Sequence, residues 1–144
     1  MRSDYLNNNS NVGGPKAKYE KVSAAKTLSA DDSGKVFGLD QDAAYSITLP
    51  KAADAGAGWN AKFILVDEGS NACKVIPDSS EDTLIGMLTT AADGTASASA
   101  ETGVDELIWV ASTAKLGDWA ELICDGTYFY VSGQMHDADH VTLA

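Results

Sequence analysis

An all-β fold follows from three features of this chain. Short runs of alternating apolar and polar residues recur about every ten residues, turn signals separate them, and no segment carries helical periodicity. The expected architecture is a single β-sandwich or barrel-like domain of about 7–9 mostly antiparallel strands, with an extended N-terminal arm. Residues 1–18 are the arm, 19–134 the β domain and 135–144 a polar C-terminal tail.

The arm is rich in Asn and Gly, with Asn7-Asn8-Asn9 and Gly13-Gly14-Pro15, and such a composition cannot pack a core. From Tyr19 the pattern turns to β. Glu20–Ser23 and Lys26–Leu28 read as short strands, and Asp31-Asp32-Ser33-Gly34 as a turn whose glycine accepts positive φ. Lys35–Leu39 follows as a strand. Tyr45, Ile47 and Leu49 share one face of the next strand, which Pro50 stops. Lys51–Gly58, rich in Ala and Gly, is a loop or a short helical turn. Trp59–Val66 is a strand buried on both faces at its Phe63–Val66 end, and Ala72–Ile76 is a strand stopped by Pro77. Leu84–Leu88 has Gly86 at a position suited to a bulge. Ala91–Gly103 contains no large apolar residue and reads as an exposed loop, and Glu106–Ala111 is another strand.

The last element is the most legible. Two strand-like runs flank Asp125-Gly126, a dipeptide that predicts a type I′ hairpin turn. Trp119, Glu121 and Ile123 point one way, and Ala120, Leu122 and Cys124 the other. Beyond the turn, Tyr128 and Tyr130 share a face opposite Phe129 and Val131.

At 144 residues and 44% apolar, the chain suits one domain with a real core. No run approaches the length of a membrane span, and the N-terminus lacks a signal peptide's apolar region, so synthesis in a cytoplasm is the expectation. Charge is uneven. Residues 1–30 carry five basic and two acidic side chains, the remainder five and nineteen, for a net charge of −11. So acidic a body is repelled by nucleic acid and anionic membranes, which leaves neither as a partner. Cys73 and Cys124 lie in separate strands without CxxC spacing and read as buried, reduced thiols, although a disulfide depends on a Cα separation that sequence does not give.

His136-Asp137-Ala138-Asp139-His140 groups metal-capable side chains, but in a run of near neighbours that reads as a solvated tail, with no metal and no cofactor. Asp78–Asp82 lacks the Gly-centred spacing of an EF-hand loop and reads as a turn. No GxSxG, HExxH or phosphate-cradling motif occurs, and both histidines fall in the tail, so no positioned histidine base is expected in the core. Asp118 and Glu121 read as a solvated hairpin edge. The chain is therefore read as no enzyme. Trp59, Trp109, Trp119, Tyr128 and Tyr130 are assigned to core or subunit interface in preference to a carbohydrate-stacking platform.

Taken together, Val22–Leu39, Tyr45–Pro50, Ala61–Val66, Gly117–Leu122 and Asp125–Gly133 resemble the head decoration, or capsid-stabilising, proteins of tailed bacteriophages. The resemblance spans residues 20–134. It implies a β-rich protein on the outer capsid surface of the virion, bound to the major capsid protein and assembled as a homotrimer. Tail-fibre modules share some of these strand ends, which keeps a host-carbohydrate-binding fibre module as the rival reading. The arm lies outside the match. Its own chemistry gives it amides at Asn7, Asn8, Asn9 and Asn11, anchors at Tyr5, Leu6 and Tyr19, and cations at Lys16, Lys18 and Lys21 for contact with a capsid.

Overall fold

Burial with a period of two governs most of the strands. The computed structural model describes residues 16–91 and 96–144, with the backbone alone for 96–99. Its strands are β1 (Tyr19–Val22), β2 (Lys26–Thr27), β3 (Lys35–Asp40), β4 (Tyr45–Thr48), β5 (Asn60–Asp67), β6 (Cys73–Ile76), β7 (Leu84–Thr90), β8 (Ala96–Val104), β9 (Leu107–Trp109), β10 (Trp119–Cys124), β11 (Phe129–Met135) and β12 (Val141–Leu143). One α-helical turn, α1 (Ala52–Ala55), sits in the Ala/Gly-rich stretch, and Ala30–Asp32 forms a 3-10 turn ahead of β3. Residues 1–15, and with them Tyr5, Leu6, Asn7, Asn8 and Asn9, lie outside the described residues.

The strands form two sheets, one in the order β1-β3-β5-β10-β11-β7-β8 and the other β12-β9-β6-β4-β2. They share one core, in which Phe37 stacks on Phe63 at 5.2 Å and Phe63 tilts against Trp109 of the second sheet at 6.4 Å. This is a β-sandwich, not a closed barrel. The first six strands alternate between sheets, and each pairs in parallel with the strand two before it. Residues 19–76 therefore coil through both layers. Half of the described pairings are parallel, four of them from this coil and the fifth between β7 and β11, where sequence alternation alone had pointed to mostly antiparallel neighbours. The C-terminal half supplies the antiparallel ones and inserts β10 between β5 and β11.

Two segments differ from the sequence reading. The stretch read as an exposed loop holds β8, an edge strand paired with β7. An edge strand needs a backbone ladder more than large side chains, so small residues suffice. The polar tail is no tail either. Met135 and Val141 are buried, and β12 pairs with β9 through Val141↔Trp109. With β8 and β12 the strands among the described residues number twelve, beyond the 7–9 expected. At Gly86 the register shifts as anticipated, and its φ of +153° lets the backbone lie against the Val131 carbonyl, where a Cβ would collide.

The faces of the closing hairpin are as the alternation requires, but its turn is not type I′. Asp125 has no positive φ, and the loop has four residues, with Cys124 pairing Phe129. The Asp125 carboxylate accepts the backbone N–H groups of Thr127 and Tyr128 at 2.8 and 2.7 Å, an Asx turn that replaces the second positive φ. Both cysteines are buried and unpaired, and burial pushes their thiols above the ordinary range, which keeps them inert.

Candidate functional site

The most concentrated chemistry in the described residues centres on Asp118. Lys115–Asp118 is a four-residue turn, closed by the Asp118 N–H to the Lys115 carbonyl at 3.0 Å, with Gly117 at φ +92°. A type II turn requires glycine at that third position. The turn carries Asp118 to the start of β10 and into the interior, where it is wholly buried. Its carbonyl accepts from the Leu65 N–H of β5 at 3.0 Å and from the Trp109 Nε1–H of β9 at 2.9 Å.

The Asp118 side chain gathers four donors. Oδ1 accepts from the His136 backbone N–H at 2.8 Å and faces His136 Nδ1 at 2.6 Å. Oδ2 accepts from the Lys115 N–H at 2.7 Å and faces His140 Nδ1 at 3.0 Å. A carboxylate has about four lone-pair sites, so this one is fully engaged. That satisfaction makes burial of the charge tolerable. Each imidazole must carry its proton on Nδ1 to donate, which leaves Nε2 without one in the neutral ring.

The two histidines arrive by different routes. His136 follows β11 directly and is exposed at its outer edge, its ring lying close over Gly117. His140 is buried, placed by Asp139 at φ +65°, a left-handed conformation uncommon outside glycine. The His140 carbonyl then accepts from the Val110 N–H at 2.9 Å, and β12 begins. A shallow groove of about 190 Å³ opens beside His136, lined by Ala91, Gly117, Asp118, Trp119, Gln134 and Met135. It holds no hydroxyl or thiol to act as a nucleophile.

Sequence reading left the histidines in a solvated tail and Asp118 on a solvated edge. Both assignments are corrected, because β12 draws the tail against β9. With His140 buried on Asp118, a positioned histidine does stand in the core.

A second acidic group, Asp40, Asp42 and Asp67, also lies within ligating distance of itself. Its cation is already supplied. Lys21 Nζ lies 3.1 Å from both Asp40 Oδ2 and Asp67 Oδ2, and these bonds raise the lysine above its ordinary value. Asp40 is held below the usual carboxylate range first by the Asp42 N–H and then by Lys21. Lys21, read as a capsid-facing cation, is thus engaged within the chain. Lys16, Lys18 and Tyr19 are exposed ahead of and along edge strand β1, and the Tyr19 hydroxyl rests over Gly38, where a Cβ would collide.

The aromatics divide. Trp59 and Trp109 are core, with Trp59 edge-on to Phe129 at 5.6 Å and its Nε1–H on the Ser29 carbonyl at 3.1 Å. Trp119 is half-buried on the outer face of the seven-stranded sheet, with Lys62 Nζ 4.4 Å from its ring centroid. Tyr128 and Tyr130 are exposed, at 38% and 46%, and so are not core. On that outer face the register sets Ile123, Tyr130 and Ile85 side by side across β10, β11 and β7, with Met87 one step along, 56% exposed. No protein-family model, curated protein or solved structure matches this chain.

Proposed function

We propose that this is a non-catalytic structural virion protein that decorates and stabilises the outer surface of a bacteriophage capsid, binding the major capsid protein lattice as a homotrimer. The observation that carries the reading is the apolar row Ile123–Tyr130–Ile85 with Met87 on the open face of the larger sheet. Neighbouring apolar side chains of this kind, with Ile123, Tyr130 and Met87 exposed and Ile85 half-buried between them, favour a covering partner. The net charge of −11 disfavours nucleic acid and anionic lipid and favours a protein partner. No helix among the described residues is long and apolar enough to cross a membrane. Binding an expanded shell in preference to its precursor adds the binding free energy to the shell's resistance to disruption.

Purified phage heads lacking the protein provide the test. The wild-type chain is expected to bind them and raise the temperature at which they release DNA. Tyr130→Ala with Ile123→Ser is expected to weaken binding at least roughly tenfold while the protein stays folded. Undiminished binding by that variant removes the face from the interface, and absence of binding by the wild type overturns the reading. A variant lacking residues 2–17 measures the share carried by the arm.

One observation favours the rival function. Tyr128 and Tyr130, with ring centroids 6.5 Å apart, stand exposed beside the Asp125 carboxylate, whose Oδ2 accepts the Tyr130 hydroxyl at 3.0 Å. Aromatic faces next to a carboxylate suit stacking on a sugar. Specific retention on a glycan array, abolished by Tyr128→Ala, would assign the protein to host-surface binding.

A further inference from the structure

We infer that Asp118, His136 and His140 form a binding site for a divalent cation of borderline softness, with Zn²⁺ the ion that fits best. One ligating atom from each of the three lies within 4.8 Å of the other two. The residues come from two parts of the chain, the turn before β10 and the short connection from β11 to β12, which bends so that His136 and His140 face the two oxygens of one carboxylate. A solvated run of histidines and aspartates would not converge in this way. The convergence is also held from outside: Asp118 is wholly buried, and His140 is nearly so.

The donor set decides the metal. Two imidazole nitrogens with one carboxylate oxygen suit Zn²⁺, whereas Ca²⁺ and Mg²⁺ prefer sites built wholly of oxygen. Without metal, each Nδ1–H donates a hydrogen bond to Asp118. With metal, both rings take the Nε2–H tautomer, the Nδ1 lone pairs turn to the ion, and the two N–H···O bonds give way to bonds to the cation. The backbone donors from Lys115 and His136 remain on Asp118, one on each oxygen, and keep the carboxylate oriented. Such outer hydrogen bonds are what a ligating carboxylate needs. His136 is exposed, so its Nε2–H meets water and the tautomer change is inexpensive. A fourth, open position faces the groove beside Gly117 and Gln134, where water completes a tetrahedron. Bound there, the ion clamps the C-terminal segment that carries β12 onto the turn that starts β10.

The test uses the full chain without an affinity tag, stripped with a chelator and titrated with ZnCl₂ by calorimetry. One Zn²⁺ per chain is expected, together with a higher Tm and with Co²⁺ giving the visible absorption of a tetrahedral site. His136→Ala removes an exposed ring and should leave the fold intact while weakening Zn²⁺ affinity at least roughly tenfold. His140→Ala should weaken Zn²⁺ binding as much, with a lower Tm because a buried donor to Asp118 is lost. Asp137→Asn with Asp139→Asn, which alters only exposed neighbours, should bind as wild type does. Stoichiometric binding lost only in the histidine variants supports the site. Absence of stoichiometric Zn²⁺ binding by the wild type overturns it. So does His136→Ala binding Zn²⁺ undiminished, or equal loss in the Asp137/Asp139 variant.

Discussion

Asp118→Asn tests the central arrangement with almost no change of shape. The carboxylate accepts four hydrogen bonds, two on each oxygen, and each oxygen faces one backbone N–H and one imidazole. An amide keeps one acceptor oxygen and replaces the other with an NH₂ donor. Whichever way it flips, the NH₂ confronts a backbone N–H, either of Lys115 or of His136. The imidazole on that side can change tautomer and accept; the backbone cannot. One part-buried donor is therefore orphaned, at about 1–3 kcal/mol, and the remaining bonds lose charge assistance, which costs about another 1–2 kcal/mol. The expected loss is about 2–5 kcal/mol of unfolding free energy, measured in metal-free buffer by urea denaturation with an unchanged m-value. For a chain of this length each kcal/mol lowers Tm by roughly 3 °C. A loss below about 0.5 kcal/mol, the range of ordinary surface changes, would refute the four-donor account.

Three further outcomes follow from other parts of the fold. Tyr45→Phe removes a buried hydroxyl that donates to the Val22 carbonyl at 2.7 Å and accepts from the Asp40 N–H at 3.1 Å, so chemical denaturation should register a loss of about 1–3 kcal/mol. Gly86→Ala, at φ +153° against the Val131 carbonyl, should cost about 3 kcal/mol or more, whereas Gly126→Ala, at φ +96° in open surroundings, should cost only about 1 kcal/mol; equal losses would discount the close approach. Asp40 titrates below its unfolded value, so the folded state binds fewer protons there, and its contribution is present above about pH 4 and lost as pH falls through the lower folded value. Asp40→Asn should therefore flatten the acid limb of a stability–pH curve recorded from pH 7 to 2, leaving the slope due to other lowered carboxyls such as Asp32.

Alternation exposed the inner faces of β4, β10 and β11 in the sequence, because each has one buried side and one wetter one, whereas the apolar run Phe63–Val66 made β5 read as buried on both faces although Ile64 and Val66 are only half-buried. It could not reveal partners. A strand that alternates reads the same whether its neighbour is parallel or antiparallel, so the coil of residues 19–76 was hidden. β8 was hidden because its ladder is backbone and its side chains are small. The Asp118 centre was hidden because residues 135–144 read as a polar tail, and the type I′ turn also implied a register two residues away from the observed one. A two-residue type I′ loop would set Asp118 opposite Gly133, whereas the observed pairing of Trp119 with Gln134 carries it alongside Met135, next to His136. The Asx-forming Asp125 is the signal that distinguishes the two loops. His140 had no comparable signal, since its burial depends on Asp139 adopting a left-handed conformation that sequence does not announce.

The coil has a consequence for how the molecule is made. Each early strand settles beside one finished only a few tens of residues before, so the N-terminal half assembles by short-range closure as it leaves the ribosome. The strand that covers β5 on its other side, β10, begins at Trp119, more than fifty residues after β5 ends at Asp67. Throughout that interval the edge Phe63-Ile64-Leu65-Val66 waits with unpaired N–H and C=O groups and high β-propensity, the profile of a self-associating segment. Asn60, Lys62 and Asp67 interrupt or flank it, as gatekeeping residues do. A chain truncated before Trp119 is therefore expected to aggregate instead of yielding a smaller folded domain, and residues 1–118 recovered soluble and monomeric would refute this.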